Sequence, residues 1–291
     1  MLTDPAYLTE ILINGLLAGG VYALIAVTMT VVFGVLKLFN FAHGAFVTVG
    51  LYCAVLATSL GYDPYLAIVP AALVMSAMLW LLYVLLIDRI ISRPTLTQVI
   101  FTIGLLTAAD ALIEMIWRTD PRVAPSITSG ALFIGDILVS KPRLVAFLAA
   151  ALIGFGFWAF LKWSWWGLAI RAVAQHGQAA QLIAIPRRAT LALAFVLSGV
   201  ATIVAGILMA PAITVTPSAS YVYLGIAFGA VVIGTKGNVL GAMLGGIIVG
   251  LTEALTIALV GDEWKDAFVF ALVLVFLLVR PEGLFGRPAN V

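Results

Sequence analysis

Between residues 8 and 280 the chain is a succession of apolar runs, most of them about 20 residues long and nearly free of charge, separated by short polar turns. Such a run is hydrophobic on every face, so water offers it no stable place. A bilayer does, provided that each run coils into a helix that satisfies its own backbone N–H and C=O groups. Strands of a membrane barrel would instead alternate apolar and polar residues over segments of about ten. The reading is an all-α, polytopic helical membrane protein. Composition agrees, with 64% hydrophobic and 10% charged residues and a mean hydropathy of +1.19; a soluble domain carries roughly a quarter charged. A formal charge of +2 gives no basic surface for nucleic acid, and the single Cys53 excludes a disulfide framework or a cysteine-ligated metal. The opening residues hold Asp4 and Glu10 but no Lys or Arg, so no cleaved signal peptide is expected.

Hydropathy predicts spans near 8–36, 42–60, 66–88, 97–116, 143–163, 189–210, 239–260 and 265–280. The piece 222–235 is short and is either a thin crossing or a re-entrant half-helix, so the expected count is eight or nine. With nine crossings and the amino terminus outside, ten of the 15 basic residues fall inside: Lys37, Arg89, Arg93, Lys162, Arg171, Arg187, Arg188, Lys236, Arg280 and Arg287. Arg118, Arg122, Lys141, Arg143 and Lys265 fall outside. The bias predicts a cytoplasmic carboxyl terminus. One membrane domain, 1–291, is expected, with an outside loop at 117–142 and an inside segment at 164–188. That segment follows Trp163, Trp165 and Trp166, which suit an interfacial aromatic belt. From Gly167 to Ile185 it spaces Leu168, Ala172, Ala179, Leu182 and Ile185 at helical intervals with Arg171, Gln175, Gln178 and Gln181 elsewhere, and Pro186 ends it. This amphipathic helix either lies on lipid or docks a cytoplasmic partner.

Glycines four apart (Gly15 and Gly19, Gly225 and Gly229, Gly241 and Gly245, Gly246 and Gly250) allow helices to approach closely in lipid, and plain packing accounts for each pair. Two polar interruptions are more telling. FGVLKLFNFAHGAF, residues 33–46, and FGAVVIGTKGNVLGA, residues 228–242, each run from Phe-Gly through a basic residue and an Asn to Gly-Ala, about 196 residues apart. Backbone that leaves the helix at such points must line protein or water, and paired breaks are where transporters place their pathway. Asp110 and Glu114 sit near the outer end of a span, where they reach the interface. Glu253, between Thr252 and Thr256, lies deeper; it is protonated, bonded to a neighbouring helix or facing the pathway. Asn14 poses the same choice. No HExxH, GxSxG or phosphate-binding loop is present and the two histidines, His43 and His176, are far apart, so the chain reads as a transport subunit, with no catalytic residue, no metal site and any ATP hydrolysed by another subunit.

GLLAGGVYALIAVTMTVVFGVLKLFNFAHGAFVTVGLY, residues 15–52, resembles the opening of the branched-chain amino acid ABC transporter permeases of the LivH type, whose hallmark is the FGVxxxxNFAHG stretch. Residues 167–188, 225–251 and RPEGLFG at 280–286 resemble three further blocks of that family in order. The resemblance implies an inner-membrane permease of a binding-protein-dependent importer. Its partners would be a second related permease, two cytoplasmic ATPases that bind the ATP and Mg, and a periplasmic solute-binding protein. It implies a coupling helix carrying Arg171, Gln175, His176, Gln178, Gln181, Leu182 and Ile185, and an outer loop that receives the binding protein. The pathway would run past the two breaks, with Asn40, His43, Gly44 and Asn238 as candidates beside Asn14 and Glu253. There are departures: His176 stands where Asn is usual, Ala184 where Gly is usual, and Gly234-Thr235-Lys236-Gly237-Asn238 lacks an expected second Gly and a closing Ser or Thr. The family also carries urea, short amides and aromatic acids, so a neutral aliphatic amino acid leads without being fixed. Outside the family, a secondary transporter using Glu253 or Asp110 and a passive channel for a small neutral solute are the competing readings.

Overall fold

A computed structural model describes residues 5–135, 137–280 and 282–285. Asp4, Pro281, Gly286 and Arg287 lie outside the described residues. The helices in chain order are α1 (Pro5–Val31), α2 (His43–Ser59), α3 (Ile68–Leu82), α4 (Asp88–Ile90), α5 (Thr95–Trp117), α6 (Lys141–Trp163), α7 (Trp165–Leu182), α8 (Arg187–Met209), α9 (Ala219–Gly234), α10 (Val239–Leu259) and α11 (Lys265–Val279). α1 continues through a π turn to Leu36, and Pro64 to Ile90 forms one rod of α3, α4 and the turns around them.

Six of these helical stretches are long and apolar enough to cross a membrane among the described residues. α2, α9 and α11 are shorter apolar helices. The 222–235 piece is one continuous helix from Ala219 to Gly234. At 1.5 Å per residue its 16 residues span about 24 Å, less than a hydrocarbon core of about 30 Å. α2 and α9 escape that mismatch because they are enclosed by other helices, where protein rather than lipid faces their ends.

α1, α2, α8, α9 and α10 form the centre, with α1 against α10, α2 against α8 and α9, and α9 against α10. The two broken-helix pairs interlock, α1 with α10 and α2 with α9. Glycine sets the spacing. A Cβ built on Gly19 would stand 2.9 Å from Ile247 Cα, and one on Gly15 would stand 2.7 Å from Ala254 Cβ. The small residues therefore bring α1 and α10 into backbone contact. α3, α5 and α6 turn apolar side chains such as Leu73, Ile100 and Leu152 outward.

The outer-loop segment is structured. A two-stranded antiparallel hairpin, β1 (Ala131–Ile134) and β2 (Ile137–Ser140), follows residues pinned by Asp63 Oδ2, which accepts the Ile127 N–H at 2.7 Å, and by a bridge between Arg122 and Val215. Span hydropathy does not predict this hairpin, yet its Gly135-Asp136 pair between apolar runs is a two-residue turn signal. Asp110 corrects the expectation for the interface. It is 7% exposed and its carboxylate accepts from Ser220 Oγ, which in turn bonds Thr48 Oγ1 at 2.8 Å. The face of α5 carrying Gln98, Thr102, Leu106 and Asp110 packs inward, whereas Glu114 is exposed.

Candidate translocation and coupling site

Both predicted breaks are present, and they meet. α1 unwinds through its π turn into Lys37, which holds a left-handed conformation at φ 54°, and α2 begins at His43. Between α9 and α10 the chain passes through Thr235 at φ 90° and Gly237 at φ 82°. A β-branched residue there is strained by roughly 1–3 kcal/mol. Thr235 directly follows Gly234 in the motif that departs from the expected pattern. Two contacts hold it: Leu284 N–H donates to Ile233 O at 2.9 Å, and Phe285 N–H donates to Thr235 Oγ1 at 3.0 Å. The chain's last described residues thus strap the second break. Lys236 Nζ lies 5.6 Å from the Phe33 ring centre and 5.8 Å from that of Phe39, and a Cβ on Gly34 would be 3.2 Å from Gly237 Cα. A cation over two aromatic faces therefore joins the breaks.

Asn40 and His43 are enclosed. Asn40 is 2% exposed with neither side-chain polar atom partnered, beside a cavity of about 10 Å³ that has room for about one water. His43 Nε2 stands 3.0 Å from both Thr28 Oγ1 and Thr202 Oγ1, which are 2.8 Å apart. Each threonine also reaches a carbonyl of its own helix, Ile25 and Ser198. The imidazole and the two hydroxyls each have a nitrogen or oxygen able to donate or accept, so the three close a polar triad. Three helices, α1, α2 and α8, are pinned by it. Gly44 is a packing position, since a Cβ there would stand 2.9 Å from Leu224 Cβ. Asn238 caps α10, its Oδ1 accepting Gly241 N–H at 3.1 Å.

Asn14 and Glu253 lie together, away from the breaks, at the hairpin end of the bundle. Both line one cavity with Arg143 and Lys265. The amide of Asn14 donates to Glu10 O at 3.0 Å and to Leu138 O at 3.1 Å, which ties α1 to β2. Thr252 and Thr256 bond carbonyls of their own helix and leave Glu253 to its neighbours across the cavity.

The 164–188 segment forms a helix, as its periodicity predicts. Ala169, Ile170, Val173 and Ala180 are buried, while Leu168 is half exposed and Leu182 is 89% exposed. The reason is that α7 lies against α6 and α8 through its small side chains. Ser164 caps the helix, accepting Gly167 N–H at 2.8 Å. The helix kinks at His176, whose φ and ψ are −143° and 83°, and ends at Leu182, before Pro186. Ala184 takes φ 61° in the exit turn, where a glycine would be unstrained. Arg171 faces back, donating to Leu161 O and to Lys162 O, so it closes the end of α6. Gln175, His176, Gln178, Gln181 and Leu182 are exposed, and Ile185 is half-buried with its N–H on Ala180 O. A cavity of about 410 Å³ joins α7 to both breaks, lined by Ile170 and Arg171, by Gly34 and Val35, and by Gly237 and Asn238. Among the described residues no group of three or more His, Cys, Asp or Glu is placed to hold a metal.

Residues 11–277 match the family model described as branched-chain amino acid transport system, permease component. The chain is 32% identical over 292 residues to the high-affinity branched-chain amino acid transport system permease protein BraD of Pseudomonas aeruginosa, covering 95% of each chain. To the LivH protein of Escherichia coli, which carries the same description, it is 30% identical over 297 residues, covering 97% of this chain and 96% of the other. These relatives are permease proteins of transport systems, not enzymes. Among solved structures, PsaBC from Streptococcus pneumoniae in complex with Fab matches at a TM-score of 0.52 and 13% identity over 94% of this chain and 92% of that one, a likeness of fold.

Proposed function

The chain belongs to the branched-chain amino acid transport permease family, and from that premise we propose that it is the membrane subunit of an ATP-driven, binding-protein-dependent importer of branched-chain or similar neutral amino acids. The observation that supports this most is the placement of α7. It projects exposed Gln178, Gln181 and Leu182 on the end of the bundle that carries Lys37, Lys162 and Lys236, and shares a cavity with both helix breaks. A partner that moves α7 acts on the breaks without touching them. Positive charge gathered at that end favours the cytoplasm, so the partner is a pair of ATPases that bind ATP and Mg, and this chain binds neither. The single permease domain pairs with a second, related permease in the bacterial inner membrane, its carboxyl terminus cytoplasmic. The segment 117–142, folded as a pinned hairpin at the opposite end, receives the periplasmic binding protein.

Gentle purification of the tagged chain from its native membrane, with mass spectrometry of what stays bound, tests the assembly. Recovery of a second permease with ATPase subunits supports it. A chain recovered alone that still transports in proteoliposomes without ATP refutes it.

A further inference from the structure

The cavity at the hairpin end has a chemistry that packing does not explain. Its volume is about 160 Å³, room for several waters, and it adjoins a wider vestibule of about 410 Å³ that shares Asn14, Arg143 and Ile257 with it and reaches Glu10 and Leu138 at the hairpin. The walls are largely apolar, with Leu17, Val21, Met209 and Ile213. Against them stand a carboxyl group and a guanidinium, Glu253 and Arg143, that form no salt bridge with each other or with any other group among the described residues. Glu253 Oε2 is buried with no hydrogen-bond partner, and Tyr22 lines the same cavity. Arg143 makes no ion pair among the described residues, whereas Lys265 is already paired with Asp262 at 2.9 Å.

We propose that this cavity, between α1, α6 and α10, is a binding site for a small zwitterion, an α-amino acid with an apolar side chain, reached through the vestibule beneath the β-hairpin. Glu253 takes the ammonium group, and the planar Arg143 guanidinium takes the carboxylate as a two-pronged donor. The apolar walls take the side chain. A lone cation would satisfy Glu253 and leave Arg143 unmatched, and a lone anion would do the reverse. A solute carrying both charges gives each group a directly bonded partner at once. Asn14, its two amide hydrogens committed to Glu10 and Leu138, holds the hairpin over the opening. The proposal rests on the reading that the chain carries neutral amino acids.

A thiol placed at Ile257, which lines both compartments, reports occupancy. The full chain with Cys53→Ala and Ile257→Cys is reconstituted in nanodiscs of phosphatidylglycerol, and alkylation of the introduced thiol is timed with L-leucine, with isoamylamine and with 4-methylpentanoate. Expected is protection by L-leucine, little by either single-charge analogue, and half-protection needing about 10- to 100-fold more leucine after Glu253→Gln or Arg143→Gln. Absence of protection by leucine, or protection unchanged by both substitutions, overturns the proposal. So does protection that follows added phosphatidylethanolamine rather than leucine, which assigns the cavity to a lipid headgroup. Uptake by cells holding the whole transport system separates the two ideas. Chain-dependent leucine uptake that survives Glu253→Gln and Arg143→Gln removes the cavity and leaves the importer, while absence of any chain-dependent amino acid uptake removes both.

Discussion

Gly250→Ala tests whether backbone contact between α1 and α10 holds the centre of the bundle. A Cβ at Gly250 would lie 2.5 Å from Gly19 N and 2.8 Å from Gly15 O, while ordinary non-bonded carbon contacts are about 3.5–4.0 Å. The atoms met are backbone, so no rotamer change relieves them and the helices must part by about 1 Å. Parting is felt along the crossing, because Gly15, Gly19 and Gly246 meet the facing helix just as closely. Overpacking of that order costs about 1–3 kcal/mol, offset by about 0.5–1 kcal/mol of improved helix propensity. The expected net loss is about 1–2 kcal/mol. Gly104 in α5 and Gly156 in α6 supply the control, because a Cβ on either meets nothing within 4 Å. Their alanine variants should be neutral or up to about 1 kcal/mol more stable. Reversible unfolding in mixed micelles, followed by tryptophan fluorescence, reads all three. A Gly250→Ala variant within about 0.5 kcal/mol of the parent, or a Gly104→Ala variant equally damaged, would refute the reasoning.

Three more perturbations have definite outcomes. Thr202→Val keeps the shape but removes a partner 3.0 Å from His43 Nε2 and 2.8 Å from Thr28 Oγ1, and should cost about 1–3 kcal/mol in the same unfolding assay; Ser198→Ala, whose hydroxyl has no partner, should cost less. Lys236→Met removes the cation above Phe33 and Phe39, so it should cost about 0.5–1 kcal/mol and widen the spin-label distance between the two breaks; an unchanged distance contradicts the link. Ala184→Gly relaxes an exposed residue at φ 61°, where an L side chain costs about 1–2 kcal/mol, and part of that gain returns as unfolded-chain entropy. A midpoint lower than the parent's would show that the turn is not strained.

The spans were legible because bilayer thickness imposes one length on every exposed helix, and predicted bounds such as 97–116 and 143–163 fall within a few residues of α5 and α6. The two breaks were legible as polar residues with no room for a loop. Their contact was not, because the meeting of Lys236 with Phe33 and Phe39 is set by how α1, α9 and α10 cross. Burial was the hardest to read. Asp110 and Glu114 share one helix face by spacing, yet one is buried and the other exposed, since α5 turns only part of that face toward α2 and α9. For α7 the helical period was legible, whereas the inward set of Ala169, Ile170, Val173 and Ala180 was not, because it is fixed by how α7 packs on α6 and α8.

If α7 transmits a partner's motion to the breaks, its exposed tip must be needed for transport. Leu182, exposed and distant from the bundle's interior, carries the most direct test, as Leu182→Asp in the native transport system, with membrane level, ATP hydrolysis and leucine uptake measured together. Normal insertion is expected, with uptake falling at least about tenfold, the loss of about 1.4 kcal/mol or more of coupling. Uptake at the parent rate, with the chain inserted at the parent level, would contradict it.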